Sequence, residues 1–152
     1  MRELFEVLGL INTGFEVIVH VNTEEMNAVA ASLNIEGSKR EKARKVQEKA
    51  DIEAFVLHEK PSAIAGTSEG LVEVENLETS QVSTFSGGGD RFDAAFGLGR
   101  AAGLSWRECL ALGNICAVNY IELNRTAGIE DVKRQLEQKS WKNLGSVDSG
   151  DR

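Results

Sequence analysis

Thr-Phe-Ser-Gly-Gly-Gly-Asp-Arg-Phe, residues 84–92, is the stretch of this 152-residue sequence that decides its fold. Residues 81–85 are typical of a short strand, and apolar residues recur at helical spacing from Phe92 to Ala102. The stretch therefore predicts a strand that turns through three glycines into a helix opened by Asp90. Glycines let backbone amides approach a ligand, and a helix N-terminus adds unpaired N–H donors with partial positive charge. Together they predict an anion site suited to a phosphate.

Asp90 lies at the mouth of this predicted anion site. Its carboxylate can accept a proton from an attacking hydroxyl there, as a general base does. A structural interpretation stays open beside the functional one: the glycines form a flexible turn, and Asp90 is the N-cap of the helix. A glycine triplet by itself does not decide between the two.

A second feature, Asn22-Thr23-Glu24-Glu25, directly follows a predicted strand over residues 15–21. Asn22 and Glu25 are three residues apart at a helix start. Their side chains can hold a hydrated magnesium ion through water, which is how this cation prefers to be bound. The same N-x-x-E spacing also matches a capping box, whose only role is to begin the helix. Both interpretations stay open at this point.

Along the chain, predicted strands alternate with predicted helices. Strands are expected at 15–21, 52–58 and 81–85 and in a hairpin of 63–65 with 71–74, and helices at 2–11, 23–33, 38–50, 90–102, 105–121 and 128–139. This order predicts an α/β fold, with a Rossmann-like, mostly parallel sheet flanked by helices and an antiparallel hairpin at its edge. We expect one domain over residues 1–144 and a polar tail over 145–152.

Charge and hydropathy exclude two classes of protein. The chain has 24 acidic and 17 basic residues, a net charge of −7, whereas nucleic-acid binders usually carry a basic face. No apolar run approaches the roughly 20 residues of a membrane-spanning helix. Residues 1–11 lack the basic start of a signal peptide, so we expect a cytoplasmic protein with neither a nucleic acid nor a membrane as its partner.

Two smaller features have ordinary structural interpretations. The basic residues of the helix at 38–50 alternate with glutamates, so a solvated face is expected rather than a phosphate patch. Cys109 and Cys116 are about two helical turns apart, too far for a disulfide, and we expect both to be buried thiols.

Taken in order, these features resemble the C-terminal half of the ribokinase-like (PfkB) carbohydrate kinases. The resemblance rests on Asn22-Thr23-Glu24-Glu25 after a strand and on residues 86–96, Ser-Gly-Gly-Gly-Asp-Arg-Phe-Asp-Ala-Ala-Phe, after a hairpin. It continues through 103–105 and 111–117 and covers 15–137. It implies the C-terminal part of the ribokinase-like fold and transfer of a phosphoryl group from ATP to a sugar or nucleoside hydroxyl.

Each candidate residue receives a role from this resemblance. Asp90 is implied to be the catalytic base, and the Gly87–Gly89 run is implied to be the anion hole. Asn22 and Glu25 would organise magnesium and phosphate, and Asn114 would lie near the adenine pocket. The implied cofactors are ATP and Mg²⁺, and the implied substrate is a small carbohydrate.

The sequence departs from the family pattern in three places. Gly88 stands where alanine is usual, which loosens the loop, and Thr84 stands where an aspartate often supports a monovalent-cation site. Such a site is therefore not expected. Residues 57–62 replace a glycine-containing turn that approaches the nucleotide, and Glu59 in this stretch would repel a triphosphate unless a metal or Lys60 offsets its charge.

Length is the largest departure, because full kinases of this family are much longer and carry their sugar-binding residues and a β lid in an N-terminal half. Two functions stay open. The chain is a carbohydrate kinase module, active with a partner chain or only vestigially, or it is a truncated remnant that serves as a non-catalytic nucleotide-binding or interaction domain. A missing half also predicts exposed apolar surface, to be covered by a homodimer or by a partner chain that supplies the substrate half.

Overall fold

The computed structural model describes residues 2–60, 62–77, 79, 81–84 and 86–138. Over these residues the chain forms six helices and four strands. The helices are α1 Arg2–Asn12, α2 Thr23–Ser32, α3 Lys39–Ala50, α4 Gly88–Ala101, α5 Trp106–Leu123 and α6 Ile129–Gln138. The strands are β1 Ile18–Val21, β2 Ala54–His58, β3 Ser62–Thr67 and β4 Gly70–Glu75. None of the helices within the described ranges has both the length and the apolar character to cross a membrane.

The four described strands form one mixed sheet in the order β1-β2-β3-β4. β1 runs parallel to β2, with Ile18 opposite Ala54. β2 runs antiparallel to β3, with Ala54 opposite Thr67. The predicted hairpin is β3 with β4, joined by residues 68–69 and placed at one edge of the sheet. The predicted α/β fold, with a sheet flanked by helices and an edge hairpin, is confirmed. The described strands form a mixed sheet and not a mostly parallel one, because β3 returns antiparallel beside β2.

Two compact units make up the chain, Met1–Val72 and Glu73–Arg152. The first contains α1, α2 and α3 with β1, β2 and β3, and the second contains α4, α5 and α6. The expectation of one domain over residues 1–144 stays a prediction. The predicted polar tail, residues 145–152, lies outside the described residues.

The core of the first unit forms where its helices pack on the strands. Phe55 of β2, Met26 of α2 and Val46 of α3 are fully buried. α3 packs so closely on β3 that a Cβ atom on Gly66 would overlap the carbonyl oxygen of Ala43. This packing fixes β1 beside β2, and β1 leads directly into the start of α2, where one of the predicted site features lies.

Two basic side chains of α3 make contacts with other groups of the same chain. Arg44 forms an ion pair with Glu48 one turn further along, with 2.9 Å between Nη1 and Oε1. The ammonium of Lys49 donates to the carbonyl oxygen of Leu33 at 2.7 Å. Both basic side chains are on the surface. These contacts support the predicted solvated face.

One predicted strand is wrong. Residues 81–84 form no strand, and Phe85 lies outside the described residues. The N–H groups of Ser83 and Thr84 instead donate to the carbonyl oxygen of Ile121, at 2.8 and 3.2 Å. The last four carbonyl groups of a helix have no partner within that helix, so the end of α5 can accept bonds that a strand would otherwise make.

Candidate functional site

The predicted anion site lies at the start of α4, in the second unit. This helix begins two residues earlier than predicted, with Gly87 as its N-cap at φ 89°, and Gly87 has no side chain to cap it. The first backbone bond runs from Arg91 N–H to Gly87 O at 3.3 Å. The N–H groups of Gly88, Gly89 and Asp90 therefore precede the hydrogen-bond ladder. α2, α3 and α5 all begin with capping boxes, whereas the start of α4 has no side-chain cap, so these donors are compatible with the predicted anion site, which stays a prediction.

Asp90 is the third residue of α4, and its side chain is exposed. The interpretation of Asp90 as the N-cap is wrong, because Gly87 holds that position. An exposed carboxylate in the first turn, beside the free donors, is placed to accept a proton from a hydroxyl held there. The role of Asp90 as a base is compatible with this position and stays a prediction.

The glycine turn lies against the last turns of α5. A Cβ atom on Gly87 would be 2.9 Å from Tyr120 Cε1 and 3.2 Å from its hydroxyl oxygen. A Cβ atom on Gly88 would be 3.0 Å from Ile121 Cδ1. The residues before the turn are bonded to the same end of α5, as described above. α5 therefore orders the turn from one side and does not use the amides that an anion would need.

α4 packs along α5 through two further close approaches. A Cβ atom on Gly113 would lie 2.7 Å from Phe92 Cδ2, and one on Gly99 would lie 3.1 Å from Cys109 Sγ. Cys109 is buried as predicted, whereas Cys116 is only half-buried, and burial raises the pKa of its thiol. Cys109 and Cys116 are not joined by a disulfide. The close packing fixes the start of α4 on its neighbour.

Asn114 lies on α5 and is 2% exposed. Its Nδ2 atom has no hydrogen-bond partner among the described residues. Leaving a buried donor unpaired costs about 1–3 kcal/mol, so such a group indicates a ligand or an ordered water. This burial is compatible with the predicted place beside adenine, which stays a prediction.

Asn22 and Glu25 lie in the first unit, at the start of α2. Glu25 N–H donates to Asn22 Oδ1 at 2.9 Å, and Asn22 N–H donates to Glu25 Oε2 at 2.8 Å. The capping-box interpretation is confirmed. Because a carboxylate has two oxygens, capping leaves room for a contact with magnesium through water. Within the described part of the chain, no group of three histidine, cysteine or acidic residues is arranged to bind a metal directly.

Glu59 has its counter-charge from a residue that the sequence did not indicate. The hydroxyl of Thr23 donates to Glu59 Oε2 at 2.7 Å, and the ammonium of Lys39 bonds to the same oxygen. Burial raises the pKa of Glu59, but hydrogen bonds from Lys39 and Thr23 and the charge of Lys39 outweigh burial and lower it. The sequence suggested a metal or Lys60 in this role. Lys39 is twenty residues away in sequence, and only the packing of α3 brings it there.

Two further residues at the start of α4 were missed by sequence reasoning. They are Tyr120, which lies on Gly87, and Arg91, whose guanidinium carbon is 4.8 Å from the centre of the Tyr120 ring. One signal was available. Tyr120 shares a helical face with Gly113 and Cys116, which pointed only to packing against another helix.

The described residues thus fall into two groups. The glycine turn, Asp90 and Asn114 belong to the second unit, whereas Asn22 and Glu25 belong to the first. In the first unit, Asn22 and Glu25 form a capping box. In the second unit, α4 begins without a side-chain cap and has the carboxylate of Asp90 in its first turn.

Comparison with known proteins extends these observations. The family model described as prokaryotic ketohexokinase matches residues 2–139 of the chain. Comparison with curated proteins finds no match.

Among solved structures, three similar ones are kinases. Ribokinase from Thermotoga maritima has a TM-score of 0.72 at 16% identity, and the match covers 91% of this chain and 45% of that one. A nucleoside kinase from Methanocaldococcus jannaschii, an archaeal member of the ribokinase family, has a TM-score of 0.71 at 18% identity, with 90% and 44% covered. Adenosine kinase from Sinorhizobium meliloti has a TM-score of 0.68 at 23% identity, with 91% and 40% covered. The fold is that of the ribokinase-like kinases, and the chain spans less than half the length of these relatives.

Proposed function

The chain belongs to the prokaryotic ketohexokinase family, and we propose that it forms the phosphate-binding part of an ATP-dependent kinase whose acceptor is a ketohexose hydroxyl. The observation that carries this proposal is the start of α4. There an uncapped helix N-terminus, held in place by α5, presents backbone donors beside the exposed carboxylate of Asp90. The acceptor class follows from the family description.

In this proposal the residues of the second unit divide the chemistry. Asp90 takes the proton from the attacking hydroxyl, and the amides of the Gly87–Gly89 run donate to the oxygens of the transferred phosphoryl group. Phosphoryl transfer depends mainly on positioning and on stabilising charge. Donors that are fixed before the reaction need no reorganisation, and losing one such donor typically slows an enzyme by about 10²–10³-fold.

ATP and magnesium are assigned to the remaining candidates. Asn114 offers a buried amide that can donate to a ring nitrogen of adenine. Glu25 would hold water on magnesium through Oε1, which the capping box leaves available, and Asn22 through the second lone pair of Oδ1. When bound, magnesium neutralises phosphate charge. These assignments are supported by the burial of Asn114 and by the preference of magnesium for water and carboxylate oxygens.

The sugar-binding residues are proposed to come from a further polypeptide segment that packs on the first unit. The chain covers 45% of the ribokinase from Thermotoga maritima, and β1 is at an edge of the described sheet. Parallel strands are usually covered on both faces. The first unit also exposes large apolar side chains near β1 in sequence: Leu4, Val7, Leu10, Ile11 and Phe15. These observations support a docking surface there.

Light scattering and dye binding test that surface. We expect the purified chain to bind the dye ANS, because apolar side chains on α1 and at Phe15 are exposed. A dimer that forms as concentration rises would identify a second copy as the occupant. A strict monomer that binds no ANS would contradict the docking surface.

A non-catalytic nucleotide-binding or interaction domain is the second candidate. The observation in its favour is Glu59, a carboxylate fixed by Thr23 and Lys39 where the resemblance implies a glycine turn against the nucleotide. A remnant of this kind would bind nucleotide without turnover.

Calorimetric titration with Mg²⁺ and a non-hydrolysable ATP analogue tests the phosphate site. Gly88→Asp places a negatively charged carboxylate beside the backbone N–H donors. It should abolish binding, because this charge would repel the phosphates. Gly97→Asp is the matched control, since Gly97 is exposed on the same helix with open space around it, and it should bind as the wild type does. Circular dichroism establishes that both variants are folded.

Two results decide between the candidates. If the folded wild type shows no saturable binding at millimolar analogue, the nucleotide site is wrong. If it binds, release of ADP with a ketohexose is measured in the wild type and in Asp90→Asn. The kinase is supported if the wild type releases ADP and Asp90→Asn does not, although Asp90→Asn still binds the analogue. Binding without turnover, even with the docking surface occupied, supports the remnant.

A further inference from the structure

We infer that Arg91 and Tyr120 form a positioning pair for the glycine turn: Tyr120 holds Gly87 in place, and Arg91 adds a fixed positive charge beside the bound phosphate. The inference rests on the proposed function and deepens it, because it adds two residues to the phosphate site.

Tyr120 limits the movement of Gly87. Two ring atoms and the hydroxyl oxygen of Tyr120 lie close to where a Cβ atom on Gly87 would be: Cε1 at 2.9 Å, Cζ at 3.3 Å and the hydroxyl oxygen at 3.2 Å. Gly87 adopts φ 89° and brings no capping side chain, so neither its own preferences nor a local cap fixes the turn. The aromatic ring therefore supplies the order that a capping box supplies in α2, α3 and α5.

Arg91 leans toward the turn that Tyr120 holds. Side chains on a helix tilt toward its N-terminus, and Arg91 follows Asp90 in the first turns of α4. Its guanidinium carbon is 4.8 Å from the centre of the Tyr120 ring, the range of a cation–π contact. Its Nε atom is buried and has no hydrogen-bond partner among the described residues.

The charge of Arg91 is close enough to act on a ligand at the turn. The Tyr120 ring lies between Gly87 and the guanidinium, so the charge is within roughly 9 Å of where a Cβ atom on Gly87 would be, about one Debye length at physiological salt. In a chain with a net charge of −7, such a cation offsets the general repulsion of a phosphate.

Calorimetry with Mg²⁺ and the non-hydrolysable ATP analogue tests the charge. Arg91→Gln should weaken binding roughly 3- to 10-fold, and the loss should shrink as salt is raised. Arg91→Lys keeps the charge and should recover most of the affinity. Lys133→Gln removes the same charge from an exposed residue that pairs with Glu130, and it should change the affinity less than about twofold.

Hydrogen exchange tests the contact with the turn, with or without ligand. Tyr120→Leu should raise the exchange of the Thr84 and Arg91 amides, which are hydrogen-bonded on either side of the turn, by about tenfold or more, because the turn loses its support. Tyr120→Phe keeps the ring and should restore slow exchange. Thermal melting establishes how far each variant is destabilised overall.

The outcomes separate this inference from the proposed function. Unchanged exchange in Tyr120→Leu overturns the pair, whatever the chain binds. If the wild type binds the analogue and Arg91→Gln binds it equally well, the role of the Arg91 charge is overturned. The proposed function is then unaffected. Failure of the wild type to bind contradicts the proposed function. In that case, faster exchange in Tyr120→Leu still supports the contact between Tyr120 and the glycine turn. The effect of Arg91 on a bound phosphate is then overturned.

Discussion

Replacing Gly87 by alanine should destabilise the protein by about 2–5 kcal/mol, the sum of two effects. The first is backbone strain: Gly87 has φ 89°, and holding a residue with a side chain in this region costs about 1–2 kcal/mol. The second is crowding, because the new methyl group would lie 2.9 Å from Tyr120 Cε1, and overpacking of this kind costs about 1–3 kcal/mol. The turn and the end of α5 should both loosen.

Urea unfolding followed by circular dichroism measures the effect, with Gly97→Ala as the control. Gly97 lies on the same helix, is exposed and has no neighbour within 4 Å of an added Cβ atom. Alanine there should stabilise the helix by about 0.5–1 kcal/mol, because glycine loses more backbone entropy on folding. The two substitutions are chemically identical, yet opposite signs are expected.

A double variant separates strain from crowding. In Gly87→Ala with Tyr120→Leu the methyl group has room, so only the crowding part, about 1–3 kcal/mol, should be recovered relative to the sum of the single changes. If Gly87→Ala stabilises the protein as Gly97→Ala does, the account of the turn is refuted. If the double variant shows no coupling, the ring is not the source of the crowding.

Two further predictions concern charge and packing. The pKa of Glu59 is lowered on folding, so its contribution to the free energy of unfolding is present above the unfolded value and is lost as the pH falls through the folded value. Glu59→Gln should therefore flatten the acid side of a plot of unfolding free energy against pH, and a slope equal to that of the wild type would count against the Lys39 contact. Gly113→Ala places a methyl group 2.7 Å from the Phe92 ring and should destabilise by about 1–3 kcal/mol. Phe92→Leu in the same chain should recover part of that loss in urea unfolding, and a neutral Gly113→Ala would contradict the close packing of α4 on α5.

Sequence reasoning succeeded where the signal was local. The capping boxes that begin at Asn22, Ser38 and Ser105 set the starts of α2, α3 and α5 within one residue of the predicted ones, because cap and backbone lie within four residues of each other. The hairpin was visible for the same reason.

It failed where a distant residue decided the outcome. Residues 81–84 have a strand-like composition, but the carbonyl oxygen of Ile121 accepts their backbone bonds. Lys39 replaces Lys60 at Glu59 because α3 packs beside the start of α2. Tyr120 at the glycine turn is also a long-range contact, and no spacing within residues 84–92 encodes it.

The start of α4 depends both on its local sequence and on contacts with residues that are distant in sequence. A helix start that binds an anion, as we propose for α4, needs free amides and so cannot use the capping side chain that begins α2, α3 and α5. Without a cap, a turn at positive φ would be loose, and loose donors stabilise developing charge poorly. The fold meets both needs by ordering the turn from the side, through Tyr120 and Ile121 of α5, and leaving its amides open. Glycine is therefore required at Gly87 for two separate reasons: its backbone angle and the ring that lies against it.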